Sequence, residues 1–255
     1  MSRGLCAYAI TREHVLDLAG LPDPEVRLIT HRGLGLVVAD VDLAPYADLD
    51  TDPARAMDEP AEDDPLVVLA RRHDAVVRAV FERQPVLPLR FGTVLRDPDA
   101  AARLLADHHE LASRELDRVA GHREWGVRAR HARPVKPDDT PPAGLSGTEY
   151  LARRRARLAA TEHTKRRGSE AAEALHAALA GRATDTVPRP RRSPALLLDA
   201  AYLVPTAQEP AFHAEVERQC DVGEVIVDVT GPWPPYSFAR LELPADGRAE
   251  AITHA

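Results

Sequence analysis

The chain has 255 residues, 44% of them hydrophobic and 29% charged, with a net charge of −7. That length suits one large or two ordinary domains with a buried core, and the negative balance disfavours a general nucleic-acid binder. No apolar run approaches bilayer length, the opening MSRGLCAYAI reads as too short for a signal sequence, and Cys6 and Cys220 lack ligand-like spacing, so reduced thiols in the cytosol are expected.

In chain order, LCAYAI reads as a strand, and VRLIT and LGLVVADV as a hairpin turned by HRG. Residues 48–64 are acidic and proline-bearing and read as a loop. Asp64-Pro65 then opens a helix, with Asp capping the free N–H groups and Pro in the first turn. Its apolar stripe is Leu66, Leu69, Ala70, His73, Val76, Val77 and Val80. VLPLRFGTVL is strand-like, but Pro88 cannot donate to a ladder, so an edge or a bulge is predicted. Asp97-Pro98 repeats the cap, and a single helix carrying Leu104, Leu105, Leu111, Leu116 and Val119 is expected up to Gly121.

Beyond it, EWGVRAR reads as a strand and HARPVKPDDTPPAGL as a proline-rich loop. SGTE is a capping box, Ser146 with Glu149, starting a helix that runs to Gly181. ATDTVPR and ALLLDAAYLVP read as strands, TAQE as a second capping box before the helix PAFHAEVERQC, and EVIVDV as the last strand. Residues 122–230 thus follow the order β-α-β-β-α-β of the ferredoxin-like split motif. The reading is an α+β protein of two domains: an N-terminal α+β domain over 1–121, a ferredoxin-like domain over 122–245, and a tail over 246–255.

Chemical motifs are sparse. GLGLVV lacks the third glycine of a dinucleotide loop and precedes no helix, and there is no phosphate loop or nucleophile elbow. Glu173 and His176 form one Glu-x-x-His where a di-iron bundle needs two, so no metal and no cofactor are expected. His73 and His108 lie on apolar stripes, where a hydrogen-bonded core residue is the ordinary outcome. The long helix carries Arg153, Arg154, Arg155, Arg157, Lys165, Arg166 and Arg167 without interleaved aromatics, so bases have no stacking platform. It reads as a solvated face, the alternative being a docking surface for an acidic protein.

Three stretches stand out in a chain only 4% aromatic: LPLRFGT, REWGVRAR and VTGPWPPYSF, the last crowding Trp233, Tyr236 and Phe238 among three prolines. In this order they resemble the GvpL/GvpF family of gas vesicle proteins over roughly residues 5–240. The resemblance implies a two-domain α+β accessory protein with a ferredoxin-like C-terminal domain, not an enzyme. The implied place is the cytoplasm, associated with gas vesicles. Its implied partner is the hydrophobic shell protein, together with other gas vesicle accessory proteins, and neither nucleic acid nor membrane. The family brings no catalytic residues. Candidate partner-binding residues are Pro88, Arg90 and Phe91 of the first stretch and Trp233, Pro235, Tyr236 and Phe238 of the last. Prolines hold that segment extended at little entropic cost, presenting its rings to a partner or fixing them in the core. The competing class is a ligand-binding protein or enzyme on a ferredoxin-like fold, needing a cleft lined by His73, Arg90 or His108.

Overall fold

The structure, a computed structural model, describes residues 3–13, 20–46, 64–132, 146–191, 193, 195–221, 223–239 and 241. The acidic stretch up to residue 63, residues 133–145 of the proline-rich connection and the tail after Leu243 lie outside them. The fold is α+β, with two antiparallel sheets. Contacts divide the chain into one unit of Met1–His122 with Trp233–Ala255, and another of Arg123–Pro232. The sequence reading had given the closing segment to the second domain; from Trp233 onward it groups with the first unit.

In the first unit the elements are β1 (Arg3–Arg12), β2 (Arg27–His31), β3 (Leu34–Asp42), α1 (Pro65–Phe81), β4 (Val86–Pro88), β5 (Val94–Leu95), α2 (Pro98–Asp107) and α3 (His109–Val119). The sheet order is β2-β3-β1-β4, with β5 also on β1. The β2–β3 hairpin turns on Arg32 and Gly33, both at positive φ (49° and 83°), the primed-turn geometry whose twist matches the strands. Asp64 caps α1 by accepting from the Leu66 N–H (2.8 Å), and Asp97 caps α2 by accepting from the Ala100 N–H (2.8 Å).

β1 and β3 bury consecutive residues rather than alternate ones, so both faces of the sheet are covered. On one face, Val76, Val77 and Val80 of α1 pack with Cys6, Tyr8, Val37, Ala39 and Val86. Leu5, Ala7, Ile10, Leu36, Val38 and Leu87 point the other way and are equally buried. A bulge at Tyr8 shifts the β1–β3 register between Ala7 and Ala9.

Where one helix was expected over residues 98–120 there are two. His108 leaves helical geometry (φ −106°, ψ 11°), ending α2 and starting α3. The stripe of buried residues continues through the break as Ala101, Leu105, Ala112, Leu116 and Val119, which is why the sequence reads as one helix. Yet α2 lies on β2 and β3 while α3 lies on β4 and β1, so the apolar stripe must change direction to follow a twisted sheet.

The second unit holds β6 (His122–His131), α4 (Gly147–Ala180), β7 (Asp185–Pro188), β8 (Leu196–Pro205), α5 (Glu209–Asp221) and β9 (Val225–Trp233), with sheet order β7-β8-β6-β9. Its core alternates along the strands: Val127 and Ala129, Ala200, Tyr202 and Val204, then Val225, against Leu175 and Leu179 of α4 and Phe212 and Val216 of α5. Burying each such leucine contributes roughly 1.5–3 kcal/mol. Arg128 and Arg130 turn away and pair across the strands with Asp199 (3.1 Å) and Asp228 (3.7 Å).

The capping box at Ser146 is complete: its backbone N–H donates to Glu149 Oε2 (3.0 Å), and its Oγ accepts from the Glu149 N–H (3.4 Å). A short 3-10 turn over Thr206–Gln208 leads into α5. The Glu209 carboxylate reaches β6, accepting from Trp125 Nε1 at 3.1 Å beside Arg123 at 3.5 Å.

Candidate functional site

The stretch LPLRFGT forms an interrupted strand at the end of the first sheet. β4 pairs with β1 through Val86–Thr11, Leu87–Ile10 and Pro88–Ala9, and β5 pairs further along through Val94–Cys6 and Leu95–Leu5. Among the described residues no strand lies outside β4 in the sheet order, so the missing N–H of Pro88 leaves no ladder bond unmade there. The Leu89 N–H donates to Tyr8 O and the Ala7 N–H to Thr93 O, both at 2.9 Å, carrying the pairing past the interruption. Between them Arg90 to Thr93 make a turn in which Arg90 O accepts from the Thr93 N–H (3.0 Å) and Oγ1 (2.7 Å). This turn puts Arg90 into solvent, with no ion-pair partner among the described residues, and leaves Phe91 half-buried against the rings of Tyr46 and His73 (6.1 and 5.7 Å).

The closing segment is held by α1 and α3. Asp74 and Arg78 stand one turn apart on α1 and are ion-paired (2.7 Å). Arg78 lies 3.9 Å over the Trp233 ring, and Asp74 Oδ1 accepts from the Tyr236 hydroxyl (2.6 Å). Arg118 of α3, paired with Glu115, donates to the Phe238 carbonyl (2.5 Å). Pro234 and Pro235 are buried, Phe238 is 1% exposed and Tyr236 38% exposed, and Trp233 lies between. The aromatic cluster is therefore divided. Phe238 belongs to the core, Pro235 lies beneath, and Trp233 with Tyr236 form the accessible rim. Because α1 supports both stretches, through His73 against Phe91 and Asp74 and Arg78 against the rim, it is the element that assembles the candidate surface. Its i,i+4 Asp–Arg pair is visible in the sequence, but nothing local there marks it as a clamp.

Beneath this surface lies a buried polar group. Asp23, 1% exposed, accepts from the Tyr8 hydroxyl (3.2 Å) and the Glu25 N–H (3.0 Å) and pairs with Arg72 (2.5 Å). Burial pushes the Cys6 thiol up to about 11, so Cys6 stays a protonated, unreactive core residue. His73 meets the Leu89 carbonyl through Nε2 (3.1 Å) and packs on the ring of Tyr8. His108 is half-buried at the α2–α3 break, and His176 Nδ1 meets the Tyr202 hydroxyl (2.7 Å). Of the side chains named for a catalytic cleft, His73 is buried against Leu89 and Tyr8, His108 is half-buried at the helix break and Arg90 is in solvent. Among the described residues no group of three His, Cys, Asp or Glu is disposed to hold a metal, and no helix is long and apolar enough to cross a membrane.

The buried group makes the first unit acid-sensitive in two steps. Burial lowers the His73 pKa below its ordinary 6.5, outweighing the Leu89 carbonyl and the Asp74 charge. Its contribution to stability is complete above pH 6.5 and is lost as pH falls towards the lower folded value. For Asp23 burial acts upward, but hydrogen bonds from Arg72, the Glu25 N–H and Tyr8, with the Arg72 charge, bring its pKa below 3.8. That contribution is complete above 3.8 and is lost as pH falls through the folded value. In urea unfolding across pH, His73→Gln is expected to flatten the upper step and Asp23→Asn the lower. Profiles parallel to the parent for both variants would remove these groups as the cause.

Residues 4–240 match the sequence model of the family described as "Gas vesicle synthesis protein GvpL/GvpF". Gas vesicle protein L of Streptomyces sp. (strain CB03234) is 36% identical over 251 residues, covering 92% of each chain. Gas vesicle protein L2 of Halobacterium salinarum is 30% identical over 250 residues, covering 88% of this chain and 84% of that protein. The crystal structure of gas vesicle protein GvpF from Anabaena sp. PCC7120 shares the fold, with a TM-score of 0.67 at 17% identity over 95% of this chain and 98% of that one. With the match spanning nearly every described element, the chain belongs to the GvpL/GvpF family of gas vesicle synthesis proteins.

Proposed function

We propose that this chain is a cytoplasmic, non-enzymatic accessory protein that binds the hydrophobic gas vesicle shell protein, as a minor wall component or as an assembly factor. The observation that carries the reading is the family match over residues 4–240, which supports a role in gas vesicle formation. The family is not a known enzyme family. The docking surface is the exposed turn at Arg90 and Phe91 with the rim of Trp233 and Tyr236, set on α1 and backed by Pro88, Pro235 and Phe238. An apolar, β-rich partner would find there an unpaired sheet end beside pre-ordered aromatic rings. The chain acts as two domains, the second ferredoxin-like, a reading supported by its β-α-β-β-α-β order and the strand order β7-β8-β6-β9.

The test measures shell-protein capture and melting temperature together for Arg90→Ala, Trp233→Ala and Tyr236→Ala. Interfaces concentrate their energy in a few aromatic and Arg residues, so at least one variant is expected to lose roughly 2 kcal/mol of binding or more with its melting temperature unchanged. Capture retained by all three, or lost only in step with stability, excludes this surface.

A further inference from the structure

The N-terminal half of α4 stands in solvent. Of its 34 residues only Gly168, Ala172, Leu175 and Leu179 are buried, all in the C-terminal half. Residues 147–160 are exposed without exception, a stretch on the order of 20 Å long at the helical rise. Leu151 and Leu158 are 52% and 61% exposed, and Tyr150 39%. An isolated helix of this length is marginal in water; this one is extended from an anchored half and closed by a complete capping box.

The exposed face is patterned. Leu151, Arg154, Leu158, Thr161 and Lys165 recur at three- and four-residue spacing, the spacing of a coiled-coil seam, with Tyr150 and Arg157 along one flank. Residues 147–165 carry five cationic side chains against Glu149 and Glu162, a charge of +3 in a chain of −7. Glu149 is already committed to Ser146, and Arg153, Arg154 and Arg155 have no ion-pair partner among the described residues.

We propose that residues 147–165 of α4 form a docking arm for an acidic amphipathic helix of a partner protein, laid along Leu151, Arg154, Leu158 and Lys165. Charge and pattern together select this occupant. A second copy of the arm would set +3 against +3. A lipid surface favours leucines segregated from cations, whereas here Arg154 and Lys165 share the leucine face. A nucleic acid would engage the charges and leave both leucines in water, and only Tyr150 could stack. A helix with an apolar seam flanked by carboxylates satisfies leucines and arginines at once. The arm belongs to Arg123–Pro232 and the proposed shell-protein surface to the other unit, so the two proposals fail separately.

The probe is a synthetic three-heptad peptide with Leu at the seam positions and Glu on both flanks, whose own charge opposes self-association. It is titrated against the full chain by fluorescence anisotropy, beside a Lys-flanked peptide and an acidic peptide of like composition broken by prolines. The acidic helix alone is expected to bind. The double variant Leu151→Ser with Leu158→Ser is expected to weaken it roughly tenfold or more, and Arg154→Glu with Lys165→Glu to transfer preference to the Lys-flanked peptide. Both pairs are exposed, so melting temperatures and shell-protein capture stay at parent values. Equal binding of the proline-broken peptide, of duplex DNA or of anionic vesicles would mean a general polyanion surface and overturn the proposal. So would indifference to the leucine pair, or a sedimenting dimer dissociated by the leucine variant.

Discussion

Phe238→Ala is expected to destabilise the first unit by about 3–5 kcal/mol, the usual loss for truncating a buried Phe. The ring is 1% exposed, and its own carbonyl takes the Arg118 hydrogen bond, so the residue is tied to the unit at both ends. The other ties are weaker. The Tyr236–Asp74 hydrogen bond is exposed, and an Arg–Trp contact contributes roughly 0.5–2 kcal/mol. Ordering each backbone residue costs about 1–2 kcal/mol, more than either of these contacts contributes. The variant should therefore show both a lower unfolding free energy and fast amide exchange from Tyr236 to Ala239. A loss below about 1.5 kcal/mol with exchange still slow would falsify the core assignment of this ring.

That assignment answers what a proline-aromatic string does in a chain so poor in aromatics. The sequence makes the segment conspicuous without saying which ring faces inward, because the deciding partners are remote: Asp74 is 162 residues from Tyr236, and Arg118 is 120 from Phe238. Local signals translated well. The Asp-Pro caps, the Ser146 capping box, the Gly33 hairpin and the strand end at Pro88 each follow from a bond made or withheld within a few residues. Signals that depend on the neighbouring sheet did not. The stripe through His108 reads as unbroken because its apolar spacing continues, while its direction changes between strands that no spacing reveals.

The candidate surface was legible as two separate stretches and not as one site. α1 reads as an ordinary amphipathic helix, its His73 on the apolar stripe and its Asp74 and Arg78 an unremarked surface pair. Only the fold sets Phe91 on one side of it and Tyr236 on the other. The buried Asp23–Arg72–Tyr8 group was not anticipated, since Asp23 falls in a polar loop of the sequence with nothing to mark it as 1% exposed.

Gly231→Ala is the second large effect, expected to cost the second unit about 2–4 kcal/mol from backbone strain and overlap together. Gly231 sits at φ 132°, a conformation that L side chains rarely adopt. A Cβ there would lie 2.8 Å from the Glu124 carbonyl oxygen and 3.0 Å from Trp125 Cε3. Neither neighbour can yield. Glu124 is 1% exposed and held by Arg189 (2.7 Å), while Trp125 donates to Glu209 and stacks edge-on with His213 at 4.4 Å. Gly223→Ala supplies the control: it too has positive φ (74°), but nothing lies within 4 Å of its Cβ position, so strain alone should cost about 1–2 kcal/mol. Denaturant unfolding of both variants separates the two contributions. Equal losses would mean that the Glu124 and Trp125 contacts relax, and that the glycine of GPWPPYSF is required for its dihedral angle alone.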